Sequence, residues 1–89
     1  MDMQAEIEGR LKSLDYQLFE FEDESRLHIG HAGNKGGGHY AVVIVSEAFR
    51  DVSRLNRQRM VKTLLNDLFS DGLIHALSIK AATPDEYFN

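Results

Sequence analysis

His39-Tyr40-Ala41-Val42-Val43-Ile44-Val45-Ser46 contains the longest apolar run of this 89-residue chain. Its residues are β-branched or aromatic in the main and show no helical spacing, so the stretch reads as a β-strand. An unbroken run of this kind predicts burial on both faces, or nearly so. Downstream, Ser53 can cap a long helix in which Val61, Leu64, Leu65 and Leu68 recur at i, i+3, i+4 and i+7, and Gly72 stops it. Leu73 to Lys80 then alternates Leu73, His75, Leu77 and Ile79 against Ile74, Ala76 and Ser78, which predicts another strand. About 27 residues holding a helix separate these two strands, long enough for a crossover, so the strands are expected to be parallel neighbours.

Working outward, Met3, Ile7, Leu11 and Leu14 lie at spacings of four, four and three, one helical stripe over residues 3–14. Tyr16 to Phe21 is aromatic-rich and sets Leu18 against Phe19 and Phe21, a strand that a hairpin would place antiparallel to 39–46. Between them, Arg26 to Gly38 is a loop with five glycines. Glu47 to Val52 reads as a turn, and Thr83-Pro84-Asp85-Glu86 supplies a cap, a first helical position and an acidic first turn. The expected order is α-β-β-α-β-α. It describes an α+β fold with a three-stranded mixed sheet packed on helices, one domain over residues 1–89.

Composition narrows the chemistry. The chain has no cysteine, so neither a disulfide nor a thiolate ligand or nucleophile can come from it. Its acidic N-terminus, Met1-Asp2-Met3-Gln4-Ala5-Glu6, has no apolar stretch of signal-peptide type, and no run is long enough to cross a membrane. A soluble protein of a bacterial-type cytoplasm is expected. The net charge of −4 argues mildly against general nucleic-acid binding. Acids crowd Glu20 to Glu24, whereas Arg50, Arg54, Arg57, Arg59 and Lys62 form a basic stretch. That stretch serves equally as a solvated helix face, a dock for an acidic partner or a contact to DNA phosphates.

The histidines carry the most information. In parallel neighbouring strands the N-terminal ends share one edge of the sheet, which places His39 and His75 close together, beside the loop that bears His28 and His31. The His28-Ile29-Gly30-His31 spacing suits a shared metal, although two solvated loop histidines would look the same. His75 could equally be an edge histidine bonded to backbone, and His39 could simply begin its strand. The glycine loop lacks the Gly-Lys-Ser/Thr triplet of a phosphate-binding loop, and its Gly33-Asn34-Lys35-Gly36 joins strands rather than the helices a nucleic-acid clamp requires. No serine, histidine and acid constellation is legible, so catalysis is not expected.

Taken in order, these stretches resemble the BolA family along almost the whole chain. They are Glu24-Ser25 with His28 three residues after the serine, His39-Tyr40 opening a strand that ends Val45-Ser46, and Phe49. Leu55-Asn56-Arg57-Gln58-Arg59-Met60-Val61, His75-Ala76-Leu77-Ser78-Ile79 and Thr83-Pro84-Asp85-Glu86-Tyr87 complete the set. The chain departs from the family at Gln58, where a histidine is usual, and in a longer loop carrying the extra His31. The resemblance implies a KH-like fold of the second topological type and a non-enzymatic partner of monothiol glutaredoxins. It further implies a 2Fe-2S cluster bridged between the two proteins with glutathione, absent from the isolated chain. On this side the metal ligands would be His75 and a loop histidine, His28 in preference to His31. Mixed histidine and thiolate ligation raises a cluster's potential and makes it responsive to pH. The alternative is a DNA-binding regulator using the basic helix of residues 50–62, through Arg54, Arg57, Arg59 and Lys62. The chain alone could be a monomer or a weak homodimer.

Overall fold

Asp2 accepts a hydrogen bond from the Ala5 N–H at 3.3 Å and so opens the first helix, α1 (Met3–Leu11). In this computed structural model residues 2–28 and 37–89 are described, Leu27 and His28 through their backbone alone. A 3₁₀ turn over Lys12–Leu14 extends α1, so the stripe read from the sequence spans two elements while Ile7, Leu11 and Leu14 stay buried. Strand β1 (Leu18–Asp23) pairs antiparallel with β2 (Gly38–Val45), and β2 pairs parallel with β3 (Ile74–Ala82), in the order β1-β2-β3. The α+β architecture with a mixed three-stranded sheet is therefore as expected.

Between β2 and β3 a 3₁₀ turn over Glu47–Phe49 leads to α2 (Arg54–Leu64), α3 (Asn66–Ser70) and Gly72. Ser53 caps α2 by accepting from the Asn56 N–H at 3.2 Å. The continuous helix expected here breaks at Leu65 (φ −105°, ψ 9°), whose N–H bonds the Lys62 carbonyl at 3.1 Å. That i→i−3 bond tightens the turn and ends α2. Leu65 and Leu68 nevertheless both reach the core. Gly72 takes φ 79°, a left-handed conformation that closes α3 without a Cβ penalty. Helix α4 (Pro84–Phe88) opens on a reciprocal box: Thr83 accepts from the Glu86 N–H, and Glu86 accepts from the Thr83 N–H.

The core lies on one face of the sheet. Tyr40, Val42 and Ile44 of β2 pack there with Ile7, Leu11, Phe49, Val61, Leu65, Leu68 and Ile74. By register, Phe19 and Phe21 of β1 and Leu77, Ile79 and Ala81 of β3 flank them on the same face. The other face stays open: Ala41 and Val43 are half-buried, while Glu20, Glu22, Ser78 and Lys80 are exposed. Burial of β2 on both faces is thus not observed. The β-branched run reflects a central strand paired along both edges, with helices on one side only.

Candidate functional site

The site is built by an irregularity in the sheet. Gly38 pairs with Ile74 but His39 pairs with Ala76, so one residue of β3, His75, is left over. Ile74 is buried and Leu77 packs against the core, while His75 and Ala76 between them are both exposed. A bulge of this kind turns two successive side chains toward one face. The alternation read from the sequence put His75 on the same face as Leu77 and Ile79. The bulge corrects this and directs His75 to the open face.

His39 precedes the buried Tyr40 and so shares that open face. The two imidazole rings lie 5.0 Å apart between centroids, inclined by 46°. Predicted convergence at the sheet edge is therefore observed for this pair. His39, which the sequence also allowed simply to begin its strand, is brought beside His75 by the parallel register.

Close backbone approach supports the pair. A Cβ on Gly37 would lie 2.8 Å from the Gly72 carbonyl oxygen and 3.0 Å from the His75 Cβ and N. Only glycine lets the chain pass there on its way into β2. Opposite, the turn over Ser25–His28 is tied to the first residues of the strand. Ser25 Oγ accepts from the His39 N–H at 3.0 Å, and the His39 carbonyl accepts from the Glu24 N–H at 2.8 Å. Hydrogen bonds from Ser25 hold the Asp23 carboxyl below its ordinary range. Burial pushes the Tyr40 phenol upward, and Asp23 adds to the effect. The turn that ends at His28 thus begins, at Ser25, next to His39. The side chain of His28, and the whole of His31, lie outside the described residues.

The donor set has a definite chemistry. Two imidazoles in a cysteine-free chain provide borderline nitrogen donors suited to iron, zinc or copper, but no thiolate. Among the described residues no group of three or more histidine, aspartate or glutamate side chains could close a metal site. Among the described residues the pair supplies two donors, too few to complete a metal centre.

The basic residues divide. Arg54, Arg59 and Lys62 are exposed on α2. Arg57 does not join them: it is buried, and its guanidinium donates to the Val52 and Ala81 carbonyls at 2.8 and 3.1 Å and to Glu86 at 2.6 and 3.2 Å. Gln58 donates to the Ile79 carbonyl at 2.9 Å, so α2 covers the outer edge of β3 there. A groove bounded by Arg54, Gln58, Lys80 and Tyr87 runs beside this edge, at the opposite end of β3 from His75. No helix among the described residues is long and apolar enough to cross a membrane.

Comparison with known proteins agrees with this fold. The family model described as BolA-like protein matches residues 11–86. SufE-like protein 1, chloroplastic/mitochondrial, of Arabidopsis thaliana is 44% identical over 81 residues, covering 84% of this chain and 22% of that protein. The DNA-binding transcriptional regulator BolA of Haemophilus influenzae is 32% identical over 88 residues, covering 98% of this chain and 82% of that protein. The solved structure of the BolA domain of SufE1 from Arabidopsis thaliana superposes with a TM-score of 0.83 at 39% identity, covering 97% of this chain and 96% of that one. The chain thus spans less than a quarter of one curated relative it matches, and most of another.

Proposed function

The chain belongs to the BolA-like protein family, and we propose that it acts there as a non-enzymatic adaptor that binds a monothiol glutaredoxin and shares a 2Fe-2S cluster with it. The observation that carries this reading is the His39–His75 pair on the open sheet face of a protein without cysteine. Such a face offers imidazole nitrogen donors and leaves the thiolates to a partner and its glutathione. His75 is the principal ligand. The second comes from the sheet edge, as His39, or from the neighbouring loop, as His28 or His31.

The bound cluster would supply an electron-transfer or transferable iron–sulfur centre, with a potential raised by imidazole ligation. The chain's own residues do the rest. The bulge aims His75, Gly37 lets the backbone pass close to it, and Ser25 anchors the turn that carries His28. An imidazole ligates through a ring nitrogen that carries no proton, so metal binding through these side chains releases protons. The role is cluster trafficking or iron and redox signalling, in a cytoplasmic setting. Mixing the chain with a cluster-loaded monothiol glutaredoxin tests it. A mixed complex on gel filtration with a changed visible spectrum supports the adaptor, and separate elution with an unchanged spectrum overturns it.

A second reading, regulation through DNA, is favoured by the name of the Haemophilus influenzae relative and by the exposed Arg54, Arg59 and Lys62. It ranks below the first because Arg57 is spent internally on Glu86 and the chain is acidic overall. If it holds, affinity for duplex DNA must fall linearly in log–log with salt and drop when Arg54 and Arg59 are removed.

A further inference from the structure

The outer edge of β3 offers hydrogen-bond donors and hides its acceptors. The Ser46 N–H donates to the Ala82 carbonyl at 2.9 Å, so beyond the bulge Ser78, Lys80 and Ala82 face β2 while Ile79 and Ala81 face outward. Both outward carbonyls are taken: Gln58 donates to that of Ile79 at 2.9 Å, and Arg57 to that of Ala81 at 3.1 Å. The N–H groups of the same two residues point to the same side. Among the described residues no side chain accepts from either of them.

This edge forms one wall of the groove beside α2, a space of about 710 Å³ and within the range of small-molecule sites. Arg54 and Lys80 border it, both exposed and neither in an ion pair among the described residues. Gln58 keeps a second N–H, since a side-chain amide carries two. Tyr87 adds a ring, with Lys80 Nζ 5.5 Å from its centroid. Glu86, the carboxylate of this wall, is committed to the Arg57 guanidinium and the Thr83 N–H. The groove therefore carries positive charge on a chain that is acidic overall.

We propose that this groove binds a small aliphatic dicarboxylate. N–H groups two residues apart on a strand are separated by about 6.5 Å, too far for the two oxygens of one carboxylate. They suit the outer oxygens of a chain about the length of glutarate. Two uncommitted cations match its two charges, the planar fork of Arg54 facing one carboxylate and the Lys80 ammonium the other. A nucleic-acid strand fits less well, because its phosphates call for a continuing row of cations. Arg59 does not extend the row: it lies with Ser13, Leu14 and Met60 on another flank of α2. The groove is at the far end of β3 from His75, so this site stands or falls independently of the metal reading.

Amide-resolved magnetic resonance of the isolated chain tests the proposal, with glutarate, acetate, inorganic phosphate or a short single-stranded oligonucleotide titrated at neutral pH and constant ionic strength. Glutarate should shift the Ile79 and Ala81 amides saturably, and acetate should bind about tenfold more weakly or worse. Arg54→Gln and Lys80→Gln should each weaken glutarate about threefold or more, the scale of one exposed ion pair. Circular dichroism confirms that both variants are folded. No saturable shift of either amide at ~20 mM glutarate, about twenty times a millimolar Kd, overturns the proposal. Acetate or phosphate binding as tightly as glutarate overturns the two-point fit, and glutarate binding indifferent to both substitutions overturns the role of the cations. An oligonucleotide that moves the same amides at lower concentration than glutarate overturns the small ligand in favour of nucleic acid.

Discussion

The imidazoles of His39 and His75 lie 5.0 Å apart because β2 and β3 run parallel and a bulge turns His75 toward the ring of its neighbour. The site is therefore only as good as the backbone geometry at the sheet edge, and that geometry can be perturbed without touching either histidine.

Gly37 is the most direct handle. A methyl group there meets the Gly72 carbonyl and the His75 backbone at 2.8 to 3.0 Å, and none of these is the end of a flexible side chain. Gly37→Ala should cost about 1–3 kcal/mol, the range of overpacked sites, in urea denaturation. It should also loosen any metal complex made through His75. A variant as stable as wild type would show that the close approach is relieved without effect.

Arg57 joins α2 to the turn at Val52, to β3 and to α4 through one planar fork. A lysine cannot reproduce that geometry. Arg57→Lys should lose about 1.5–3 kcal/mol, the scale of a charged hydrogen bond left unmade. The exposed Arg59→Lys control should stay within about 0.5 kcal/mol. Equal losses in denaturant midpoint would contradict the internal role of Arg57.

Glu86 sets an acid dependence. Hydrogen bonds from the Arg57 guanidinium, and then from the Thr83 N–H, hold its carboxyl at about 2, against 4.5 for the unperturbed group. A carboxyl depressed on folding adds stability that is present above the unfolded value and lost as pH falls through the folded one. Wild type should thus exceed Glu86→Gln in stability at pH 7, and the gap should close between about pH 5 and pH 2. A gap that is constant with pH would mean that the glutamine loses packing or capping rather than charge.

Much of this was legible in the sequence. The residue 39–46 run, the crossover length and the Thr83-Pro84 cap give the order of elements and the mixed sheet, because strand length, helical period and capping chemistry are local properties. The convergence of His39 and His75 followed from parallel pairing alone. Two features were hidden. The bulge is a mismatch between strands, so the alternation of Leu73 to Ile79 pointed His75 toward the wrong face. The fate of Arg57 depends on Glu86, far along the chain, and a helix pattern cannot distinguish a cation paired with a carboxylate of the same chain from one offered to a partner.

The most direct test of the central claim is the visible circular dichroism of a mixture with cluster-loaded monothiol glutaredoxin, recorded for wild type, His75→Ala and His39→Ala at matched concentration. Wild type should give a spectrum distinct from that of the glutaredoxin alone. His75→Ala should lose or strongly alter it while the apo-proteins remain folded, and His39→Ala should change it if the sheet edge supplies the second ligand. A His75→Ala mixture indistinguishable from wild type would contradict the assignment of His75 as the cluster's ligand.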